Sequence, residues 1–265
     1  MRYVLLITLA ILPVAILMVI IYRQDKFQKE PVKSLIKAFI GGILAILIDT
    51  LICIGVKELF SKTEFSESMF FENFMLAGIP EELSKFLIFM IFIWRDKNFD
   101  EYMDGIVYCV FISLGFACIE NIAYVLEFGI GAAIMRALLS VPGHFLDGVM
   151  LGYFLSMAKF RRDRRLFYIL SGLLLTMLSH GLFDWLLSAT SIIYRYSHPF
   201  DAYFLYALFI VGNIFLWKLG VDFIRKQQEN SKLQTQEIAP TDTDALANQT
   251  EQDSVPENTT ENEPL

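Results

Sequence analysis

Seven stretches of the chain are apolar enough to cross a bilayer: about 3–22, 38–56, 71–94, 104–126, 132–158, 166–189 and 202–224. A helix rises about 1.5 Å per residue, so roughly 20 apolar residues cover the hydrocarbon core. The first stretch is too long for a signal peptide and lacks a small-residue cleavage site after its apolar run, so it reads as a span. The third is the weakest, because Pro80, Glu81, Glu82 and Lys85 interrupt it and only 86–94 is cleanly apolar. The pattern predicts an all-α fold, a polytopic membrane helix bundle of about seven transmembrane helices over residues 1–226. From residue 227 the apolar residues thin out among Pro, Thr, Asn and Glu, and a disordered acidic tail is expected over 227–265. No internal repeat is visible, which weighs against a transporter of the inverted-repeat kind.

Charge refines the picture. The net charge of −7 comes from the tail, where nine acidic residues face one basic residue, Lys232. Without the tail, 21 basic and 20 acidic residues nearly cancel, so the acidity says nothing about a basic partner and no nucleic acid is expected. Lys and Arg alternate in density from loop to loop. One set of loops holds fifteen of them, among them Arg23, Lys26, Arg95, Arg161, Arg165 and Arg225. The other set holds four: Arg2, Lys57, Lys62 and Arg195. The positive-inside rule then puts the N-terminus outside the cell membrane and the tail in the cytoplasm. The Asn248 and Asn258 glycosylation triplets would be silent there, and His198 would lie in an outside loop. Cys53, Cys109 and Cys118 all lie in apolar stretches, which argues for packing rather than a disulfide framework.

Ionisable residues inside spans are expensive and mark function by default. Here they include Asp49, Glu81, Glu82, Lys85, Glu120, His144, Asp147, His180 and Asp184. Counted from the cytoplasmic helix ends, Glu82 lies ~18 Å up, His144 and His180 ~21 Å, Glu120 ~24 Å and Asp184 ~27 Å. Four helices thus place carboxylates and imidazoles in one slab, slightly outside the midplane, as one shared polar cavity would. Glu81 and Glu82 are adjacent and point ~100° apart, so one of the two should aim into that cavity. Lys85 follows them by four and three residues, the favourable order for an ion pair. His180 and Asp184 share one helix face, His144 and Asp147 another, so a carboxylate could orient each imidazole. Pro80 should kink the third helix, and Pro142–Gly143 should break the fifth just before His144. Asp49 and Arg136 read as structural.

In order along the chain, Glu81-Glu82-Leu83-Ser84-Lys85 reads EExxK, Phe116 to Asn121 reads FxxxEN, His144 stands alone, and His180 to Asp184 reads HxxxD. This set on hydrophobic helices resembles the PrsW family of bacterial intramembrane proteases, itself distantly similar to the CAAX prenyl endopeptidases. The match covers roughly residues 30–225. The resemblance implies a peptidase acting in regulated, signalling-linked proteolysis of a membrane-bound substrate, typified by an anti-sigma factor, and a single-pass membrane protein is the partner it suggests. Glu81, Glu82, His144, His180 and Glu120 are the expected catalytic residues, supported by Lys85, Asn121, Asp184 and Asp147. Two routes to an activated water stay open: Zn²⁺ held by His144 and His180 with one glutamate, or a metal-free route with Glu81 or Glu82 as base and the histidines on the oxyanion. A proton- or metal-coupled transporter could also use the slab. A retinal protein would need a Schiff-base lysine at mid-depth, and Lys218 lies too near the cytoplasmic end.

Overall fold

A computed structural model describes residues 1–196 and 199–238. His198 and the glycosylation triplets at Asn248 and Asn258 lie outside the described residues. The fold is all-α, with helices α1 (Arg2–Gln24), α2 (Val32–Phe60), α3 (Ile79–Phe92), α4 (Tyr102–Phe128), α5 (Ile130–Leu138), α6 (Ser140–Phe160), α7 (Arg165–Tyr196) and α8 (Pro199–Ile238). A π-helical segment, Phe71–Gly78, leads into α3. Among the described residues, six helical segments are long and apolar enough to cross a membrane, α5 and α6 together counting as one.

The third predicted span is the composite of the π-helical segment and the 14-residue α3. Pro80 explains the change of winding, since it has no N–H for the carbonyl one α-turn earlier. That carbonyl, on Leu76, instead accepts from Cys53 Sγ at 3.3 Å. The fifth predicted span is also two pieces. The chain breaks at Leu139, between α5 and α6, and Pro142 sits in the first turn of α6, where a missing N–H costs little.

In lipid the hydrophobic effect does not press helices together, so association rests on close packing and polar ties. The centre of the bundle is the pair α4 and α6, with 78% of the most apolar stretch of α4 buried. Glycines let the two backbones touch: a Cβ on Gly152 would stand 2.4 Å from the Gly105 carbonyl oxygen. Ser113 Oγ donates to the His144 carbonyl at 2.7 Å, and Asn121 Nδ2 ties α4 to the Ala10 carbonyl of α1 at 2.6 Å. α1, α2, α7 and α8 surround this core and turn Leu, Ile and Phe outward to lipid. Residues 227–238, which composition assigns to the tail, continue α8. Gln227 and Ser231 are buried there: Gln227 donates to the Tyr153 carbonyl at 3.0 Å, and Ser231 Oγ accepts from the Met103 N–H at 3.0 Å.

Candidate active site

Glu81 and Glu82 occupy the first turn of α3, just after the π-helical segment. Their position against α7 is set by two glycines. A Cβ on Gly78 would lie 2.6 Å from the Gly181 nitrogen, so the two helices cross backbone to backbone there. His180, the residue before Gly181, is thereby brought beside Glu82 across 98 residues of sequence. Ser188 Oγ donates to Asn73 Oδ1 at 3.1 Å and holds the same pair of elements together one level further out.

The adjacent glutamates differ in surroundings. Glu82 is 1% exposed and faces inward, accepting from Lys85 Nζ at 2.7 Å and lying 2.9 Å from His180 Nδ1. Glu81 lines a cavity of about 360 Å³, with Lys85 Nζ at 3.3 Å and His180 Nε2 at 3.7 Å from its Oε2. One residue of offset on a helix is enough to give a buried carboxylate and a cavity carboxylate. Lys85 is the hub: it also contacts His144 Nδ1 at 3.1 Å and lies 4.4 Å above the Phe116 ring. An ammonium has no lone pair, so the Nδ1 of His144 accepts from Lys85. The other nitrogen, Nε2, then carries the hydrogen and donates to Glu120 Oε2 at 2.9 Å.

The remaining polar residues close the ring. His180 lies within 3.5 Å of both Asp147 Oδ2 and Asp184 Oδ2, so carboxylates meet it from α3, α6 and its own helix. Asp184 is the expected partner. Asp147 turns to His180 and not to His144, because α6 packs that face against α7. Arg136 is a residue that motif reading passed over. From α5 it donates through Nη2 to Glu120 at 2.7 Å and through Nε to Asn121 Oδ1 at 3.0 Å, with its guanidinium over Tyr124. A single arginine inside a span, with a carboxylate on the preceding one, is the signal that could have found it. Asp49 contacts Cys53 Sγ at 3.7 Å and does not line the cavity. Lys218 points outward from α8, which removes a retinal site. The free cysteines are Cys53, Cys109 and Cys118, the last two buried in the core.

Glu81, Glu82, His144 and His180 each offer a ligand atom, and these atoms all lie within 4.8 Å of one another. Oε2 of Glu82 is buried without a hydrogen-bond partner. Two imidazoles with two carboxylates form a donor set suited to Zn²⁺, and the orphaned oxygen marks where a further positive charge is welcome. The residues therefore fit a zinc ion, in competition with Lys85 for the same carboxylates and for Nδ1 of His144.

A family described as PrsW family intramembrane metalloprotease matches residues 30–214. A protein named Protease PrsW from Clostridioides difficile (strain 630) is 35% identical over 231 residues, covering 84% of this chain and 92% of its own. Its namesake from Bacillus subtilis (strain 168) is 33% identical over 230 residues, covering 86% of this chain and 98% of its own. A third, from Geobacillus kaustophilus (strain HTA426), is 35% identical over 184 residues, 69% of this chain and 80% of its own. No solved structure matches the chain. The transporter reading finds no support among these relatives.

Proposed function

The chain belongs to the PrsW family of intramembrane proteases and is a multi-pass membrane peptidase; we propose that it cuts a single-pass membrane protein near its extracytoplasmic side, with an anti-sigma factor as the substrate. The observation that carries this reading is the meeting of Glu81, Glu82, His144 and His180 within 4.8 Å beside a cavity, with both histidines on helical segments long and apolar enough to cross a membrane. The positive-inside count supports an extracytoplasmic cut, since it puts the N-terminus outside and the polar slab in the outer half of the bilayer. Cutting there suits release of an extracytoplasmic domain as the first step of a signalling cascade.

The division of labour follows from which groups face the cavity. Glu81 takes a proton from water as its oxygen attacks the scissile carbonyl carbon, and passes that proton to the leaving amine when the C–N bond breaks. His180 Nε2 faces Glu81 and Asp184, and in its protonated form donates to the oxyanion. Glu82 and Asp147 fix the His180 ring, and Lys85 fixes Glu82. Glu120, held by Arg136, orients His144. By the alternative metal route, His144 and His180 with one glutamate of the pair would hold Zn²⁺, which when bound supplies Lewis-acid polarisation of a carbonyl and a more acidic water, and the other glutamate would then act as base.

The test is co-expression with a tagged single-pass anti-sigma factor of the host bacterium, read by immunoblot. Glu81→Gln, Glu82→Gln and His180→Ala should each abolish the cleaved fragment while the protein's own abundance stays normal. Undiminished cleavage by the Glu81→Ala, Glu82→Ala double variant would overturn the assignment of these residues.

A further inference from the structure

A substrate anchored in the bilayer has to reach His180 and Glu81 sideways, through a gap between helices, and one pair of helices leaves such a gap. Between α7 and α8 runs an apolar groove of about 260 Å³, bounded on its outer side by Leu178, Leu182 and Phe215. These three side chains are 49–62% exposed, so the groove opens to lipid. Its inner wall consists of Ser179, Phe183, Asn213 and Leu216, and the same four residues line the active-site cavity. Further out, a cleft of about 550 Å³ between the same two helices shares Leu187 with that cavity. One layer of side chains therefore separates the catalytic groups from the bilayer here.

The attachment of α8 fits a movable wall. No residue from Ile210 to Leu219 is buried, and a Cβ on Gly212 would meet nothing within 4 Å. Both ends are fixed. Towards the outside Ala202 and Phe209 are buried, and towards the cytoplasm Gly220 lies against Leu146 while Gln227 bonds to α6. Across the groove the Phe183 and Phe209 rings meet with centroids 5.1 Å apart, a side-chain contact that rotation can open.

We propose that the α7–α8 groove is the lateral entrance of the enzyme, and that its occupant is the membrane-spanning segment of the protein substrate. Lipid exposure selects an apolar, membrane-embedded partner, and continuity with the catalytic cavity selects one that is to be cut. Hydrolysis needs an extended backbone at the cut, and a helix unwound in lipid bares N–H and C=O groups that must be satisfied. Ser179 and Asn213 are the polar side chains of the shared wall. Asn213 Nδ2 already donates to the Phe209 carbonyl at 3.0 Å, which leaves its amide oxygen for an incoming N–H. The entrance rests on the proposed membrane-anchored substrate.

Photo-crosslinking tests it directly. p-Benzoylphenylalanine is placed at position 215 or 182 of the full-length Glu82→Gln protein, with lipid-facing position 47 of α2 as control. The probe is an epitope-tagged single-pass anti-sigma factor whose cleavage by the parent requires Glu82. Adducts with its spanning segment should form at 215 and 182 at least about tenfold above position 47. Equal adducts at all three positions, adducts with phospholipid alone, or adducts with a second copy of the chain would each overturn the entrance.

A second variant, Leu182→Cys with Phe215→Cys in a Cys53→Ser background, is bridged with a bis-methanethiosulfonate reagent. Bridging should cut cleavage of the anchored probe by at least about tenfold and reductant should restore it. A soluble peptide covering the same cut site, admitted beside the exposed Glu72, should be hydrolysed at an unchanged rate. Undiminished cleavage of the anchored probe by the bridged protein overturns the entrance but leaves the peptidase standing. The residue assignment fails only on the separate result with the Glu81→Ala, Glu82→Ala protein.

Discussion

Gly78→Ala asks how finely the crossing of the π-helical segment and α7 sets the active site. The new Cβ would stand 2.6 Å from the Gly181 nitrogen, 2.8 Å from its Cα and 2.9 Å from the Met177 carbonyl oxygen. All three are backbone atoms, so no side chain can turn away to make room. Ordinary contact begins at 3.4 Å, so the elements must part by about 0.8 Å, the difference between 3.4 and 2.6 Å. His180 adjoins Gly181, and its Nδ1 lies 2.9 Å from Glu82. The same displacement stretches that contact to about 3.7 Å, beyond hydrogen-bond range. Overpacking by one methyl costs about 1–3 kcal/mol of stability. Misplacing a catalytic group by close to 1 Å costs about 10²-fold in rate. The expected result is a folded protein, slightly less stable in a thermal melt, that cleaves the tagged substrate about 10²-fold more slowly. Gly55→Ala is the control: a Cβ there meets nothing within 4 Å, so activity should hold and the helix should gain up to about 1 kcal/mol. Gly181→Ala meets the Phe74 ring at 2.4 Å, a side chain able to rotate, and should be milder than Gly78→Ala. A Gly78→Ala protein within about twofold of the parent rate would refute the reasoning, because overpacking against backbone should displace the site.

Arg136→Ala removes the partner of Glu120 and should lower kcat/KM by at least about tenfold, with Arg136→Lys retaining more activity because it keeps the charge. Elemental analysis of purified protein should find about one zinc per chain, lost together with activity on chelation and absent from His144→Ala protein; full activity in metal-free protein would remove the metal from the mechanism. Around the α1–α2 connection and the start of α4, burial is the chief cause that raises Asp25, and that raises Glu30 and Glu101 to about 8. The groups facing them are Asp100, Asp104, Lys29 and Tyr108. A pKa higher in the folded than in the unfolded state gives stability that is complete at low pH and lost as pH rises through the folded value. Thermal stability should therefore fall as pH rises from about 4.5, the ordinary glutamate value, to about 8 and level off above it, and a Glu30→Gln, Glu101→Gln protein should show a flatter profile over that range. For topology, a cysteine at exposed Thr63 should react with an impermeant reagent in intact cells and one at exposed Gln236 should not; the reverse pattern would move the cut to the cytoplasmic side.

Spans and chemistry were legible in the chain because lipid imposes length and polarity rules on each helix separately. Runs of about 20 apolar residues can be counted without knowing their neighbours. Ionisable residues within them stand out at once, and depth along a helix follows from residue number. That reasoning put Glu81, Glu82, Glu120, His144, His180 and Asp184 in one slab, and the EExxK, FxxxEN and HxxxD motifs pointed to a protease. Depth, however, is one coordinate of three. Which way each helix turns and which helix it meets depend on contacts between segments far apart in sequence. So tertiary structure alone decided that Glu81 faces the cavity while Glu82 faces inward, and that Asp147 serves His180. The same holds for Arg136, which had no motif to announce it and found its meaning only when α5 folded back onto α4. It holds too for the continuation of α8 through 227–238, where a polar sequence stays helical because Gln227 and Ser231 find backbone partners on α6 and α4. Gly78 and Gly181 show the division most plainly: each is an unremarked glycine in its own segment, and only their contact, backbone against backbone, brings His180 to the glutamate pair.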